Sequence, residues 1–279
     1  MRSTRKFLQK VQTFFQKKRS SEYEYFSAEP HIFHFSFHKN LTIYYDNIAR
    51  SFANQTKRKY ERYGSQINEF MSSRDANMRN LNNRFIDLND FPATLKASLF
   101  LRDPRDLVVS AYYYHKRGAE RWMTHIRDID NPEMKSPNIN FPKRFMKKGE
   151  SLSECLNRLS FEDGMQMAIE IRYYHFQELE KWLKYSSKYP NLITLTYDEI
   201  LADDVGSFDR LAHHYGFEDH EREIWISLAE KFSRRNFSTS HIRNPSSGQW
   251  EKEFMKSHKD YFQTHYSELI SLFDQFQSK

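Results

Sequence analysis

The chain has 279 residues without an internal repeat, a net charge of +6 and a pI of about 9.1. Its length suits one large domain with its own hydrophobic core, so disulfide or metal staples are not required, and its 7 glycines are too few for a disordered or glycine-rich chain. The basic balance fits an anionic partner, whether nucleotide, acidic glycan, nucleic acid or membrane surface, and does not choose among them.

Residues 1–25 read as a basic N-terminal extension in which Phe7, Leu8, Val11, Phe14 and Phe15 sit at helical spacing among lysines and arginines. They lack the continuous apolar core of a signal peptide, and no stretch of the chain is long enough for a transmembrane segment. Residues 26–279 are expected to form a single domain. Ile32, Phe33, Phe35 and Phe37 alternate with polar or small residues, which predicts a buried strand over 31–37. It stops at His38-Lys39-Asn40, and Leu41, Tyr44, Tyr45, Ile48 and Ala49 predict a helix with Asn40 as its cap. Residues 51–83 are polar, with little periodicity. A short strand is expected over 84–88 and a clearer one over 97–101. Asp103 can cap the next helix, with Pro104 at its first position. Three proline dipeptides mark residues 118–150 as an insertion. Ser151 and Glu154 form a capping box, and helix is expected to about Tyr185 with a break near Gly164. Leu192–Tyr197 predicts a third core strand. Helices are expected over 203–215, ended by Gly216, over 219–232, and over most of 251–276, with a polar loop at 236–249. Strands alternating with helices give an α/β fold with a central parallel sheet flanked by helices.

The lone Cys155 excludes an intrachain disulfide, which favours a reducing, cytoplasmic compartment, and it reads as a small buried hydrophobe. His213-His214 and His31/His34 lack partners at usable spacing, so no metal site is expected.

Three elements can carry chemistry. The turn at 36–45 joins a strand end to a helix start, where backbone N–H groups face an anion; Lys39 adds a charge and Thr42 a hydroxyl. It is not a Walker loop, since Gly-Lys-Ser/Thr is absent. In Arg102-Asp103-Pro104-Arg105-Asp106-Leu107-Val108-Val109-Ser110, an arginine ends a strand and a serine lies on the following helix, a pair able to hold a phosphate dianion. An Arg102–Asp106 ion pair is the plainer structural reading. The third element is the polar loop Arg243-Asn244-Pro245-Ser246-Ser247-Gly248-Gln249-Trp250.

In this order the three elements resemble the sulfotransferases that use 3′-phosphoadenosine 5′-phosphosulfate (PAPS). Lys39 and Thr42 match the Lys and first Thr of that family's Pro-Lys-Ser-Gly-Thr-Thr-Trp loop, while Asn40, Leu41, Ile43 and Tyr44 depart from it. Arg102 and Ser110 keep the spacing of its 3′-phosphate motif, and Tyr113-Tyr114-His115 follow as they do there. Arg243, Gly248 and Trp250 match its C-terminal motif, with Pro245 in place of a glycine. Tyr197-Asp198-Glu199-Ile200-Leu201 is similar to its Tyr-Glu-Asp-Leu segment. The resemblance spans about residues 31–275 and implies a P-loop-like fold of sulfotransferase type, with PAPS as donor and adenosine 3′,5′-bisphosphate as product. It implies that Arg102, Ser110 and Arg243 hold the 3′-phosphate. Lys39, Asn40, Leu41, Thr42 and Ile43 would hold the 5′-phosphate, with Tyr197, Asn244 and Gly248 completing the cofactor site. Lys39 would stabilise charge on the bridging oxygen during in-line transfer. The family's Thr-His-Leu-Pro base segment is absent. Asp87 or Asp90 in Phe85–Pro92 is one replacement, and His38 and His115 are others. The acceptor reads as a small molecule or glycan, with a hydroxyl or amine receiving the sulfuryl group; no nucleic-acid partner is expected and the oligomeric state is open. The alternatives are a P-loop kinase, a basic polyanion-binding module and a degenerate sulfotransferase-fold protein.

Overall fold

Strand β1, Ile32–Ser36, is buried along all five residues and occupies the middle of the sheet. The computed structural model describes residues 31–73, 75–126, 141–233 and 246–277. The basic extension, the middle of the 118–150 insertion and Arg243-Asn244 lie outside the described residues. β1 pairs in parallel with β3, Met78–Asn82, and with β4, Lys96–Leu101. β2, Tyr60–Arg62, extends the sheet beyond β3, and β5, Leu192–Thr196, extends it beyond β4. The order is β2-β3-β1-β4-β5, all parallel, as the alternation of strands and helices predicts.

Helices follow in chain order: α1 (Thr42–Gln55), α2 (Ile67–Ser72), α3 (Pro104–Lys116), α4 (Arg121–Thr124), α5 (Leu152–Arg158), α6 (Phe161–Ile171) and α7 (Tyr173–Tyr185). Then come α8 (Tyr197–Ala202), α9 (Asp204–Tyr215), α10 (Asp219–Phe232), α11 (Gln249–Glu253), α12 (Lys256–His265) and α13 (Ser267–Gln277). Because side chains alternate along a strand, each central strand feeds two cores. Phe33, Phe35, Ala97, Leu99 and Leu101 face the core that holds Val108 and Tyr112 of α3, Leu156 of α5 and Trp182 of α7. Ile32, Met78, Phe100 and Leu195 face the other, with Tyr45, Ile48 and Phe52 of α1, Phe208 of α9 and Trp225 of α10. Burial of each such side chain stabilises the fold by about 1.5–3 kcal/mol.

The second core also holds a polar chain. His34 Nδ1 lies 2.8 Å from Ser98 Oγ, whose oxygen is 2.5 Å from the Tyr215 hydroxyl; that hydroxyl is 3.1 Å from Tyr45's. The His34 ring stacks on Tyr45 at 3.5 Å, and burial pushes its pKa well down, so it is neutral. This chain ties β1 and β4 to α1 and α9 beneath the turn after β1.

Several elements differ from the sequence reading. β2 and β3 lie in the stretch without periodicity, because β3 buries polar residues that hydropathy reads as surface. Its Arg79 is 1% exposed, donates to the carbonyls of Ala76 and Phe70, and lies over the Phe33 ring. No strand forms over 84–88. Asn83 turns the chain off β3 with φ 59, and a 3-10 turn follows at Leu88–Asp90, capped by Asp87. Tyr197 begins α8 instead of ending β5, because Thr196 and Glu199 build a capping box there. Met123 and Met146, both within the 118–150 stretch, are buried. Cys155 is buried as expected, its thiol pushed up to about 12 by burial.

Gly164 does not break its helix. The breaks fall at Ser160, which caps α6, and at Arg172, between α6 and α7. The glycine is there for close approach: a Cβ on it would lie 2.9 Å from Tyr112 Cε2. Gly164→Ala gains about 1 kcal/mol of helix propensity and loses about 1–3 kcal/mol to overpacking. The expected net result is a lower melting temperature by calorimetry, recovered in part when Tyr112→Leu makes room.

Candidate active site

β1 runs to a point where the chain returns on one side through β2 and β3, and on the other through β4 and β5. In open parallel sheets such a switch point leaves a crevice at the carboxyl ends of the strands. Here the turn after β1 meets the end of β4. Asn40 Nδ2 donates to the Phe100 carbonyl at 2.6 Å, and Arg102 Nη1 donates to the Lys39 carbonyl at 3.0 Å. The turn contains no glycine, yet Lys39 has φ 70 and Leu41 φ 55. Leu41 stands at the N-cap of α1 without a side-chain cap, so the helix starts at Thr42. Asn40, expected as the cap, is instead fully buried and braces the turn against β4. Thr42 Oγ1 donates to the Phe37 carbonyl at 3.1 Å and closes the turn from inside.

Above this turn opens a cleft of about 560 Å³. Lys39, Leu41, Thr42, Ile43, Arg102, Ser110 and Tyr197, all named from the sequence, line it together. Arg102 is 4% exposed, lies 4.0 Å over the Tyr197 ring, and has buried Nε and Nη2 atoms without hydrogen-bond partners. The Arg102–Asp106 ion pair of the plainer structural reading does not form. Asp106 accepts from the N–H of Gly248 at 2.7 Å and of Trp250 at 3.1 Å, and so straps the segment before α11 onto α3. Burial pushes its carboxyl up, while the Trp250 N–H, Arg102 and the Gly248 N–H pull it down. Gly248 does not line the cleft; it is held by Asp106, and its φ of 70 forms the start of α11.

Lys39 lies 3.8 Å over the Tyr114 ring. Burial, and then Arg102, Arg117 and Arg172, lower its pKa to about 8, against the pull of Glu120. The unfolded chain thus holds this proton more tightly, and the residue's contribution to stability rises with pH from about 8 toward the ordinary lysine range.

Behind Lys39 lies a cluster the sequence did not disclose. Arg172, between α6 and α7, reaches His175 Nδ1 at 2.8 Å and His115 Nε2 at 3.3 Å. A guanidinium only donates, so both nitrogens are acceptors and both histidines are neutral. Burial lowers the pKa of Arg172 to about 9 and takes those of His38, His115 and His175 well down, helped by the Arg172 charge. His115 stacks behind His38 at 5.4 Å, and of the two only His38 lines the cleft. Asp87 stands apart: it caps the 3-10 turn, accepts from the Tyr189 hydroxyl at 3.0 Å, and is absent from the cleft wall. Arg62, Asn82, Asn83, Arg117, Glu120 and Trp122 also line the cleft. Arg62, Asn82 and Asn83 were missed because β2 and β3 were not legible, and Arg117, Glu120 and Trp122 because they follow α3 in a stretch without a periodic signal. Among the described residues no cluster of His, Cys, Asp or Glu could hold a metal ion, and no helix is long and apolar enough to cross a membrane.

Asp106→Ala should cost about 2–4 kcal/mol in urea unfolding, since two N–H groups lose a buried charged acceptor. Asp106→Asn keeps one acceptor and should lose less; equal losses would show that the strap does not depend on these bonds.

Three solved structures resemble the chain. Mouse sulfotransferase SULT7A1 complexed with PAP is 15% identical, with a TM-score of 0.49 over 91% of this chain and 92% of that one. Retinol dehydratase, in complex with androsterone and inactive cofactor PAP, and in a complex with retinol and PAP, is 16% identical in each case. Both give a TM-score of 0.47 over 92% of this chain and 85% of that one. No curated protein matches the sequence. The sulfotransferase domain family matches residues 93–274, about two thirds of the chain, a span holding Arg102, Ser110, Tyr197 and Gly248. The chain belongs to the sulfotransferase domain family.

Proposed function

We propose that the cleft binds PAPS and that the protein transfers its sulfuryl group to an acceptor hydroxyl. The observation that carries this reading is Arg102, whose two buried, unpartnered nitrogens sit at the switch point beside the Lys39 carbonyl. Charged donors pair most strongly with an anion, and a 3′-phosphate distinguishes PAPS from ordinary adenine nucleotides. Ser110 on α3 adds a hydroxyl to that subsite, and Arg243 and Asn244 are proposed to join it. The first turn of α1, with its unsatisfied N–H groups, suits the 5′-phosphate, and Thr42 and Lys39 flank it. Tyr197, Ile200, Leu201 and Phe232 give the adenine an apolar and aromatic wall.

When bound, PAPS supplies an activated sulfuryl group. Lys39 is proposed to hold positive charge where the bridging oxygen becomes anionic, a role that requires its protonated form. His38 is proposed to take the acceptor's proton. It is neutral, it lines the cleft beside Lys39, and its backbone N–H is fixed by Asn83 Oδ1 at 2.8 Å. His115 and Arg172 support it from behind, so His115 is a positioning residue in this scheme, and Asp87 has no part in the chemistry.

Calorimetry with adenosine 3′,5′-bisphosphate and AMP tests the donor site. The bisphosphate should bind more tightly. Arg102→Ala should weaken it by about tenfold or more and leave AMP nearly unchanged, as one charge-assisted contact dictates; equal losses for both would remove Arg102 from the 3′-phosphate. Binding without turnover on any acceptor would support a degenerate relative.

The pH profile tests the chemistry. kcat/KM for PAPS should fall above pH about 8 as Lys39 loses its proton. On the acid side it should fall only below the ordinary histidine range. His38→Gln should lower kcat by about a hundredfold with product affinity intact, and should remove the acid limb. A profile unchanged by His38→Gln would exclude it as the base.

A further inference from the structure

Resting on that reading of the cleft, we propose that the acceptor is an alcohol or phenol that also carries a carboxylate or sulfate, held with this anionic group against Arg62 and Arg117. The wall beside His38 comes from the end of β2, the end of β3 and the end of α3, and it offers hydrogen-bond donors almost exclusively. Asn83 spends its carbonyl oxygen on the His38 N–H, and Asn82 spends its own on Ser36 Oγ at 2.8 Å, so both amides present NH2 groups as their remaining function. Arg117 is exposed at the end of α3, and its contact among the described residues is with the Tyr114 ring at 5.7 Å. Arg62 lies 3.9 Å from Asp46, a carboxylate that Arg50 already engages at 3.2 Å. One negative charge there faces two positive ones.

Glu120 is the carboxylate on this wall, and it is occupied. Its two oxygens accept from the Tyr114 hydroxyl at 2.5 Å and from the Trp122 indole N–H. Asp204 also lines the cleft, at the end with Tyr44. Lys39, Arg62 and Arg117 therefore gather around Tyr114 with Glu120 as their counter-charge. An apolar alcohol such as a sterol would desolvate these guanidinium and amide groups without replacing their water, which is costly. An anionic alcohol meets each of them with an acceptor oxygen. The chemistry is shared by acidic saccharides and by small aryl hydroxy acids, and both fall within the proposal.

The test uses two matched pairs, each differing only in the anionic group: a uronic-acid oligosaccharide against its carboxyl-reduced form, and a hydroxybenzoate against its methyl ester. Binding is measured by calorimetry on the protein loaded with adenosine 3′,5′-bisphosphate, and sulfation by kcat/KM. The acidic member of at least one pair should win by about tenfold or more, and the winning pair identifies the source. Arg62→Ala and Arg117→Ala, both exposed, should each bring the ratio toward one, and Arg62→Ala should do so with bisphosphate affinity unchanged. Parity in both pairs, or a preference that survives both substitutions, would overturn the proposal while bisphosphate binding leaves the donor reading standing. Failure to bind the bisphosphate would instead overturn the donor reading itself.

Discussion

Two hydrogen bonds between the end of β4 and the turn after β1 hold this site together. Asn40 to the Phe100 carbonyl and Arg102 to the Lys39 carbonyl fix a turn that has no glycine and would not adopt this path alone. Left-handed backbone at Lys39 and Leu41 costs about 1 kcal/mol or more at each residue, so the conformation persists only because neighbouring strands impose it. The start of α1, the direction of Lys39 and the place of Arg102 in the cleft all follow from that junction. The polar chain from His34 through Ser98 to Tyr215 reinforces it from below.

The charges in and behind the cleft are arranged against stability. Lys39, Arg102, Arg117 and Arg172 crowd together with few carboxylates to answer them, and both Lys39 and Arg172 hold their protons less firmly than usual. Without an anion these residues repel one another and lose solvation, a pattern typical of functional sites. A ligand with several negative charges relieves both penalties at once. The three neutral histidines fit the same environment, because a protonated imidazole there would add to an existing excess of positive charge.

The fold was largely legible where polarity and burial agree. β1, β4 and β5 are rich in apolar residues, and Asp103-Pro104 and Ser151-Glu154 are local helix-start signals that the structure repeats. β2 and β3 were not legible, because Arg79, Asn80 and Asn82 are buried by partners distant in sequence. The site divided in the same way. Lys39, Thr42, Arg102 and Ser110 stand where a strand ends or a helix follows, Tyr197 was named through the family resemblance, and all five line the cleft. The donor wall, the Arg172 cluster and the strap from Asp106 to Gly248 arise from tertiary proximity, for which a single sequence carries no periodic signal. Asp87 caps the 3-10 turn and does not line the cleft, and in sequence a capping aspartate and a candidate base look alike.

The absence of glycine from the turn after β1 has a kinetic side. Glycine would let the same backbone path form easily, and would equally let it dissolve into many others. A turn made of Lys39, Asn40 and Leu41 samples fewer alternatives, and its bonds to β4 hold it in one of them. An anion arriving at the start of α1 then meets N–H groups already in place, so little chain entropy is lost on association. Capture of the ligand becomes an encounter with a stiff receptor instead of the folding of a loop around its guest.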